Sequence, residues 1–233
     1  MKEIDNIFSI LKYIKRYTEM DINGILINCP YWANKIKENI VIARGFQDGK
    51  GEAGDLQKAL IEKILGNRMV VSGSKDIIKF ALRERIGIDC SGFVYRVLEK
   101  LVEKRYRDCV PSTLQEVFTA GITRTNSDTL TSSKYSYPIK TVEEIIQGDM
   151  IRISGGKHIA VIFQNSKDKI IYAHSSGKTA VFGVHLGVIK VLDDSKTLDR
   201  QEWTERTKYK EDYKKTSYDE NKGDGVFRLK IFH

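Results

Sequence analysis

One cysteine of this sequence lies where a thiol could do chemistry. In 86-IGIDCSGFVYRVLEK-100, Cys90 begins a run with Val94, Val97 and Leu101 at helical spacing, which predicts a helix starting at the cysteine. There the unpaired N–H groups and the helix dipole favour a thiolate. Free cysteines are also often buried and inert, so this stretch alone leaves a core thiol and a nucleophile both open.

The neighbours of Cys90 add to the case for a nucleophile. Asp89 precedes the predicted helix and is a candidate N-cap. The chain has three cysteines, and the other two, Cys29 and Cys109, lack a helix-start setting. We interpret Cys109 as a small apolar filler and leave Cys29 undecided. The odd, sparse count argues against a disulfide framework, and no Cys-x-x-Cys pair indicates a structural zinc site.

A nucleophilic thiol needs a base, usually histidine. Among the four histidines, His158 begins the predicted strand 158-HIAVIF-163 and His174 lies in the next, 170-IIYAHSSG-177. If residues 164–169 turn the chain into an antiparallel hairpin, the two histidine-bearing ends adjoin. His158 would then be the base, and His174 would orient it through its second ring nitrogen.

The alternative for each histidine is a surface or hydrogen-bonded core residue. That alternative is harder to apply to two histidines at the same end of one hairpin. His185 has no such partner in the sequence and is interpreted as structural, and His233 is terminal.

The elements that must position these residues change in type along the chain. Helical spacing predicts helices near 4–18, 54–66, 74–85 and 90–104. Alternating apolar residues predict strands at 150–153, 158–163, 169–174, 187–192 and 226–232. Helices followed by strands predict an α+β fold with an antiparallel sheet. Asp55 is the predicted cap of the second helix, and the charge-dense segment 204–225 is predicted to be an exposed loop.

Composition excludes few classes of function. The 233 residues are 41% hydrophobic and 30% charged, as in ordinary globular proteins, with a net charge of +8. The charge fits a lysine-rich solvated surface or attraction to an anionic partner such as a cell-wall polymer. No basic run with interleaved stacking aromatics is present, so a nucleic-acid partner is not expected.

The N-terminal stretch predicts an amphipathic helix and not a targeting segment. Its apolar positions are interrupted by Ser9, Lys12 and Lys15, and no small-residue cleavage site follows. The apolar runs are too short for a transmembrane segment. The sequence therefore leaves open whether the protein is cytoplasmic or exported by a route it does not encode.

The quoted segments, taken in order, resemble the NlpC family of cell-wall cysteine peptidases. The similar segments are 89-DCSGFV-94, 111-PSTLQEVFTAG-121, 148-GDMIRI-153, 158-HIAVIF-163 and 172-YAHSSG-177. In that order, they are similar to five elements of the family: the Asp-Cys-Ser-Gly signature, the segment between the cysteine and the histidine, the Gly-Asp strand, the strand that begins with the histidine, and the strand that carries the third catalytic residue. The resemblance covers about residues 75–192.

The resemblance implies a papain-like α+β fold, in which the helix of Cys90 packs on an antiparallel sheet. It implies Cys90 as nucleophile, His158 as base and His174 as the third, orienting residue. The N–H of Cys90 would help to form the oxyanion hole. In family members, the residues matching Asp89 and Ser91 can hold the free amino end of a substrate.

One element of the family pattern is missing before the cysteine. An aromatic Pro-Tyr-x-Trp-Gly-Gly motif is usual there, but residues 72–88 contain neither tyrosine nor tryptophan. The nearest similar segment is 29-CPYWANK-35, so Tyr31 would line the site if the intervening residues are an insertion. We therefore divide the chain into a helical N-terminal extension, residues 1–70, and an NlpC-like peptidase domain, residues 71–233.

The sequence thus predicts a cysteine hydrolase that cleaves amide bonds, with a peptide or peptidoglycan fragment as substrate and no cofactor. Peptidoglycan stem peptides are the leading substrate, cleaved through a thioester acyl-enzyme. Two alternatives stay open: an amidase or protease-like effector acting on a substrate outside the cell wall, and a catalytically inactive binding module of the same fold.

Overall fold

The structure, a computed structural model, describes residues 2–38, 40–105 and 111–232. The helices of this part are α1 (Lys2–Thr18), α2 (Ala53–Gly66), α3 (Ser74–Arg83), α4 (Cys90–Arg105), α5 (Leu114–Val117), α6 (Ser127–Leu130) and α7 (Tyr213–Ser217). The strands are β1 (Met20–Ile22), β2 (Ile25–Ile27), β3 (Lys35–Lys37), β4 (Ile40–Ala43), β5 (Ser136–Ile139), β6 (Met150–Ile153), β7 (His158–Ser166), β8 (Lys169–Ser176), β9 (Gly183–Lys190), β10 (Glu202–Trp203) and β11 (Gly225–Leu229). The predicted α+β class is confirmed.

Seven strands form the main sheet, in the order β10-β9-β8-β7-β6-β11-β5, and every neighbouring pair is antiparallel. The strands β1 and β2, and likewise β3 and β4, form two small hairpins outside it. The strands β6 to β9 follow one another along the chain, so short connections place each beside its predecessor. The predicted hairpin that carries His158 and His174 is the β7–β8 pair.

The main sheet is buried on both faces, and alternate residues of β7 show how. Ile159 and Val161 belong to the core beneath the helices, whereas Ala160 and Ile162 belong to a second core on the other face. Tyr213 and Tyr218 of the C-terminal segment belong to that second core. Because side chains alternate along a strand, His158 belongs to the same face as Ala160.

The helix α4 lies at the centre of the larger core. Its buried face includes Phe93, Val94, Val97, Leu98 and Leu101. The ring of Tyr17 on α1 meets that of Phe93 edge to face, with centroids 5.4 Å apart. Side chains from the first seventy residues thus share a core with the helix of Cys90. The division at residue 70 remains a prediction.

Several predictions about local structure are corrected. The N-cap of α2 is Glu52, whose carboxylate accepts the N–H of Ala53, and not Asp55, which lies in the first turn. The segment 204–225 is not an exposed loop, because it contains α7 and contributes buried side chains to the second core. Cys109 lies outside the described residues. No helix within the described ranges is long and apolar enough to cross a membrane.

Candidate active site

Cys90 is the first residue of α4, and Asp89 caps that helix, as predicted. The Oδ1 atom of Asp89 accepts the N–H of Gly92 at 2.6 Å, and its backbone carbonyl accepts the N–H of Phe93 at 3.0 Å. The cap satisfies one of the donors that a helix start leaves unpaired. Cys90 is only 8% exposed, so its thiol lies at the inner wall of the site.

The thiol is protonated in the resting protein, contrary to the expectation from its place at a helix start. Burial, with a smaller contribution from the charge of Asp89, raises the pKa of Cys90 to about 12 against the opposing effect of Lys50. The N–H groups of Ile159 and Ser91 face the sulfur and lower the pKa by a smaller amount. A thiolate must therefore be generated by removal of the proton during reaction.

His158 and His174 are brought together by the register of β7 and β8. Val161 pairs with Ala173 and Ile162 with Tyr172, so the two histidines lie diagonally across one face of the hairpin. The Nε2 atom of His158 is 2.8 Å from Nδ1 of His174. No hydrogen bond joins the Cys90 thiol to His158 within the described residues, but the sulfur faces the N–H of the next residue, Ile159.

Glu205 completes a chain of groups behind the two histidines. Its Oε1 atom is 3.1 Å from Nε2 of His174, and its Oε2 atom accepts the hydroxyl of Tyr172. Burial alone would raise the pKa of Glu205, but His174 and His185 hold that pKa well below its usual range. The Glu205 side chain is a carboxylate, although only 7% of it is exposed.

This carboxylate sets the tautomers of both histidines. Burial lowers the pKa of His158 and of His174, and each is neutral. A carboxylate only accepts, so His174 donates from Nε2 to Glu205 and accepts at Nδ1 the N–H on Nε2 of His158. Neutral His158 then carries its lone pair on Nδ1. That atom is the one that can receive a proton.

His185 lies at the same point, although the sequence indicated no partner for it. It pairs directly with His174 across β8 and β9, and the Nε2 atoms of the two rings are 3.0 Å apart. Its Nε2 atom is also 2.5 Å from Oε1 of Glu205, while Nδ1 donates to the carbonyl of Gly183 at 3.0 Å. Donating from both nitrogens requires a doubly protonated ring.

Tyr31 is brought beside Cys90 from far upstream in the chain. The N–H of Ile88 donates to the carbonyl of Pro30 at 2.9 Å, so residues 30–32 run alongside the residues just before Cys90. Burial raises the pKa of Tyr31, and negative charge on Cys90 or Asp89 raises it further. Tyr31 is therefore a neutral phenol within electrostatic range of the thiol.

Asp89 and Ser91 contact a cation from within the protein. The Nζ atom of Lys50 lies 2.9 Å from Oδ1 of Asp89, 2.5 Å from Oγ of Ser91 and 3.1 Å from the carbonyl of Thr125. Only 7% of the Lys50 side chain is exposed. A Cβ at Gly92 would lie 2.7 Å from Cδ of Lys50, so the glycine leaves room for the lysine.

A cleft of about 380 Å³ opens beside these residues. Its walls include His158, Tyr31 and Tyr213, together with Trp32, Phe182 and the three lysines Lys35, Lys157 and Lys178. Burial and the nearby charge of Glu205 raise the pKa of Tyr213, which is thus a hydroxyl donor in the wall. The cleft is large enough for a peptide of a few residues, and its lysines favour anionic groups.

The sequence did not indicate Glu205, Lys50 or Tyr213 as site residues. Glu205 lies in the charge-dense segment, where the buried positions 201 and 207 are a glutamine and a threonine and so show no apolar alternation in the sequence. His185 was recognisable in principle, because a hairpin centred on residues 179–180 pairs it with His174. Lys50 and Tyr213 leave no local signal, since distant contacts bury them.

Comparison of the chain with models of known protein families, with curated proteins and with solved structures finds no match in any of the three. The chemistry of the site is therefore argued from its own geometry.

Proposed function

We propose that the protein is a cysteine hydrolase that cleaves amide bonds through a thioester, on a papain-like fold of the NlpC kind. The observation that carries the proposal is the hydrogen-bonded chain from His158 through His174 to Glu205, next to a cysteine at a helix start. A buried carboxylate that fixes histidine tautomers is the arrangement that makes a neutral imidazole a general base.

In the proposed reaction, the Cys90 sulfur attacks the amide carbonyl carbon while its proton passes to Nδ1 of His158. The N–H of Cys90 at the helix start faces the developing oxyanion. The C–N bond then breaks, and His158 returns the proton to the leaving amine. Water, deprotonated by His158, hydrolyses the thioester and releases a carboxylic acid and the thiol. The step requires a movement of the His158 ring that brings Nδ1 into hydrogen-bond contact with the thiol.

Peptidoglycan stem peptides are the leading substrate. They carry free carboxylates, and the cleft places Lys35, Lys157 and Lys178 around its aromatic walls. Tyr31 would line the acyl side of the cleft, in the role that the missing aromatic motif has in the family. The net charge of +8 also favours an anionic polymer.

A second substrate class is favoured by one observation. Lys50 engages both Asp89 and Ser91, the pair that would otherwise hold a substrate's amino end. An amide substrate without a free amino group, from outside the cell wall, fits that arrangement as well.

The test is digestion of purified muropeptides followed by mass analysis. We expect the wild-type chain to release fragments that have gained one water, and Cys90→Ala to release none. Cys29→Ala is the matched control, because Cys29 is a fully buried thiol whose pKa burial raises, and it should cleave like the wild type.

Iodoacetamide labelling combined with the digestion separates the two substrate classes. We expect Cys90 to be labelled faster than Cys29, which is fully buried. Labelling of Cys90 without muropeptide cleavage would move the substrate outside the cell wall. Equal labelling of Cys90 and Cys29, or cleavage by Cys90→Ala, would contradict the proposed nucleophile.

A further inference from the structure

Three metal-ligating atoms converge behind the candidate base. The Nε2 atoms of His174 and His185 are 3.0 Å apart, and the Oε1 atom of Glu205 lies 3.1 Å and 2.5 Å from them, respectively. All three side chains are at most 7% exposed. Two imidazole nitrogens and one carboxylate oxygen at one buried point form a ligand set that suits zinc.

The second polar atom of each of the three side chains is also held by a hydrogen bond. Nδ1 of His185 donates to the Gly183 carbonyl, and Oε2 of Glu205 accepts the Tyr172 hydroxyl. Nδ1 of His174 is hydrogen-bonded to His158. Metal-binding histidines and carboxylates in proteins are held in this way by outer hydrogen bonds, which orient the ligand atoms.

The main sheet makes this arrangement rigid. His174 and His185 are a directly opposed pair on adjacent strands, and Tyr172 lies two residues before His174 on the same face. Tyr172 in turn lies over Gly187, where a Cβ would come 2.2 Å from its ring. The ligands thus come from paired strands and one covering segment, and small shifts of side chains suffice to receive an ion.

We propose that His174, His185 and Glu205 bind a zinc ion, and that the ion switches off the base. Zn–N distances of about 2.0–2.1 Å in a tetrahedral site separate ligand atoms by about 3.4 Å, so the three atoms would move apart by a few tenths of an ångström to somewhat under 1 Å. The ion would replace the hydrogen bonds that Glu205 now accepts from the two rings, and the proton on Nε2 of His185 would pass to solvent.

The consequence for His158 follows from proton positions, and it rests on the proposed function. A neutral His174 that binds zinc through Nε2 carries its proton on Nδ1 and donates it to Nε2 of His158. Neutral His158 then holds its own proton on Nδ1 and has no lone pair there to receive the proton of Cys90. Zinc would therefore inhibit by reversing the hydrogen bonds of the chain, without touching the thiol.

Binding is tested first, independently of activity, by titrating Cys90→Ala with Co²⁺ and displacing the cobalt with Zn²⁺. We expect one ion per chain, detected by visible absorption of the cobalt complex. In that background, Glu205→Gln should weaken binding by at least about 100-fold. Tyr172→Phe, which removes only an outer hydrogen bond, should weaken it by about 10-fold. Absence of binding to Cys90→Ala, or equal binding by Glu205→Gln, would overturn the site.

Inhibition is tested on chains that keep Cys90, as the rate of amide cleavage with and without Zn²⁺. We expect one equivalent of zinc to slow cleavage and a chelator to restore it. The zinc concentration for half inhibition should rise in Tyr172→Phe by the same factor as its dissociation constant. Binding without slowed cleavage would overturn the switch and keep the metal site. A chain that binds zinc but cleaves no amide would refute the proposed function, and the switch with it, while the metal site would stand.

Discussion

Two carboxylates hold the candidate site, Asp89 beside Cys90 and Glu205 behind His174, and their partners differ in kind. Asp89 meets a lysine ammonium, a hydroxyl and a backbone N–H. Glu205 meets two imidazoles and a phenol. An imidazole can change tautomer or charge near neutral pH, whereas an ammonium paired with a carboxylate does not.

Because of their different partners, the two carboxylates should serve different purposes, one in folding stability and the other in catalysis. The Asp89–Lys50 pair fixes the start of α4 and the loop around Lys50, so it should contribute mainly to folding. The Glu205 chain ends on the one ring atom that can take a proton from the thiol, so it should contribute mainly to rate. A buried carboxylate can serve either purpose, and its partners decide which.

Replacing Glu205 should have the largest effect on the rate of cleavage. Glu205→Gln keeps the shape of the side chain but removes the charge that holds His174 in its donating tautomer. We expect kcat for amide cleavage to fall roughly 10³-fold with KM nearly unchanged, as for a residue that positions the base. The measurement is steady-state kinetics on whichever muropeptide the wild type cleaves.

Glu202→Gln is the matched control for that prediction. Glu202 lies in the same segment, and its ion pair with Lys190 at 2.7 Å is about half exposed on both sides, so its loss should leave kcat unchanged. Glu205→Asp should recover part of the lost rate, since it restores the charge. An unchanged kcat in Glu205→Gln would remove the carboxylate from the mechanism.

The Asp89–Lys50 ion pair is removed by Lys50→Met. This change leaves the nearly buried Asp89 carboxylate without its cation. Breaking such a pair costs about 3 kcal/mol of unfolding free energy. We expect urea unfolding to show a loss of that size. Asp89→Asn added to Lys50→Met should recover part of the loss, because no unpaired charge then remains.

Lys58→Met provides the control on the surface. Lys58 and Glu62 form an exposed pair 3.9 Å apart, so this change should alter the unfolding free energy by less than about 0.5 kcal/mol. If Lys50→Met were as stable as Lys58→Met, Asp89 would not depend on its partner and the contrast between the two carboxylates would disappear.

The sequence predicts local features well and distant contacts poorly. The helix at Cys90, its cap Asp89 and the β7–β8 hairpin each follow from spacing within a few residues. Glu205 and Lys50 could not be predicted in the same way. Their burial depends on segments twenty or more residues away, and a charged residue in a polar segment usually lies at the surface.

Tyr31 is an intermediate case. Its similarity to a missing aromatic motif suggested a place near Cys90, but about sixty residues separate the two. The contact depends on two backbone hydrogen bonds, in which the carbonyl of Cys29 accepts the N–H of Val184 and the carbonyl of Pro30 accepts the N–H of Ile88. They join this segment to both β9 and the chain before α4. Pairings of that range depend on the whole fold and leave no periodic signal.

Cys90 must lose its proton before the sulfur can react as a nucleophile. Because burial raises the pKa of Cys90 to about 12, the thiolate fraction is small near neutral pH and grows about tenfold with each pH unit. We expect the rate of Cys90 alkylation to rise by that factor between about pH 6 and pH 9 without a plateau, measured by mass spectrometry. Cys29, which is fully buried, should remain unlabelled until the chain unfolds.

A plateau near neutral pH would mean that a thiolate already exists beside a charged His158. In that case the Glu205 side of the site would hold a fixed charge, as the Asp89 side does, and the contrast between them would fail. A steady rise with pH instead places the proton on sulfur in the resting protein. The hydrogen-bonded chain from His158 to Glu205 then acts only when a substrate is attacked.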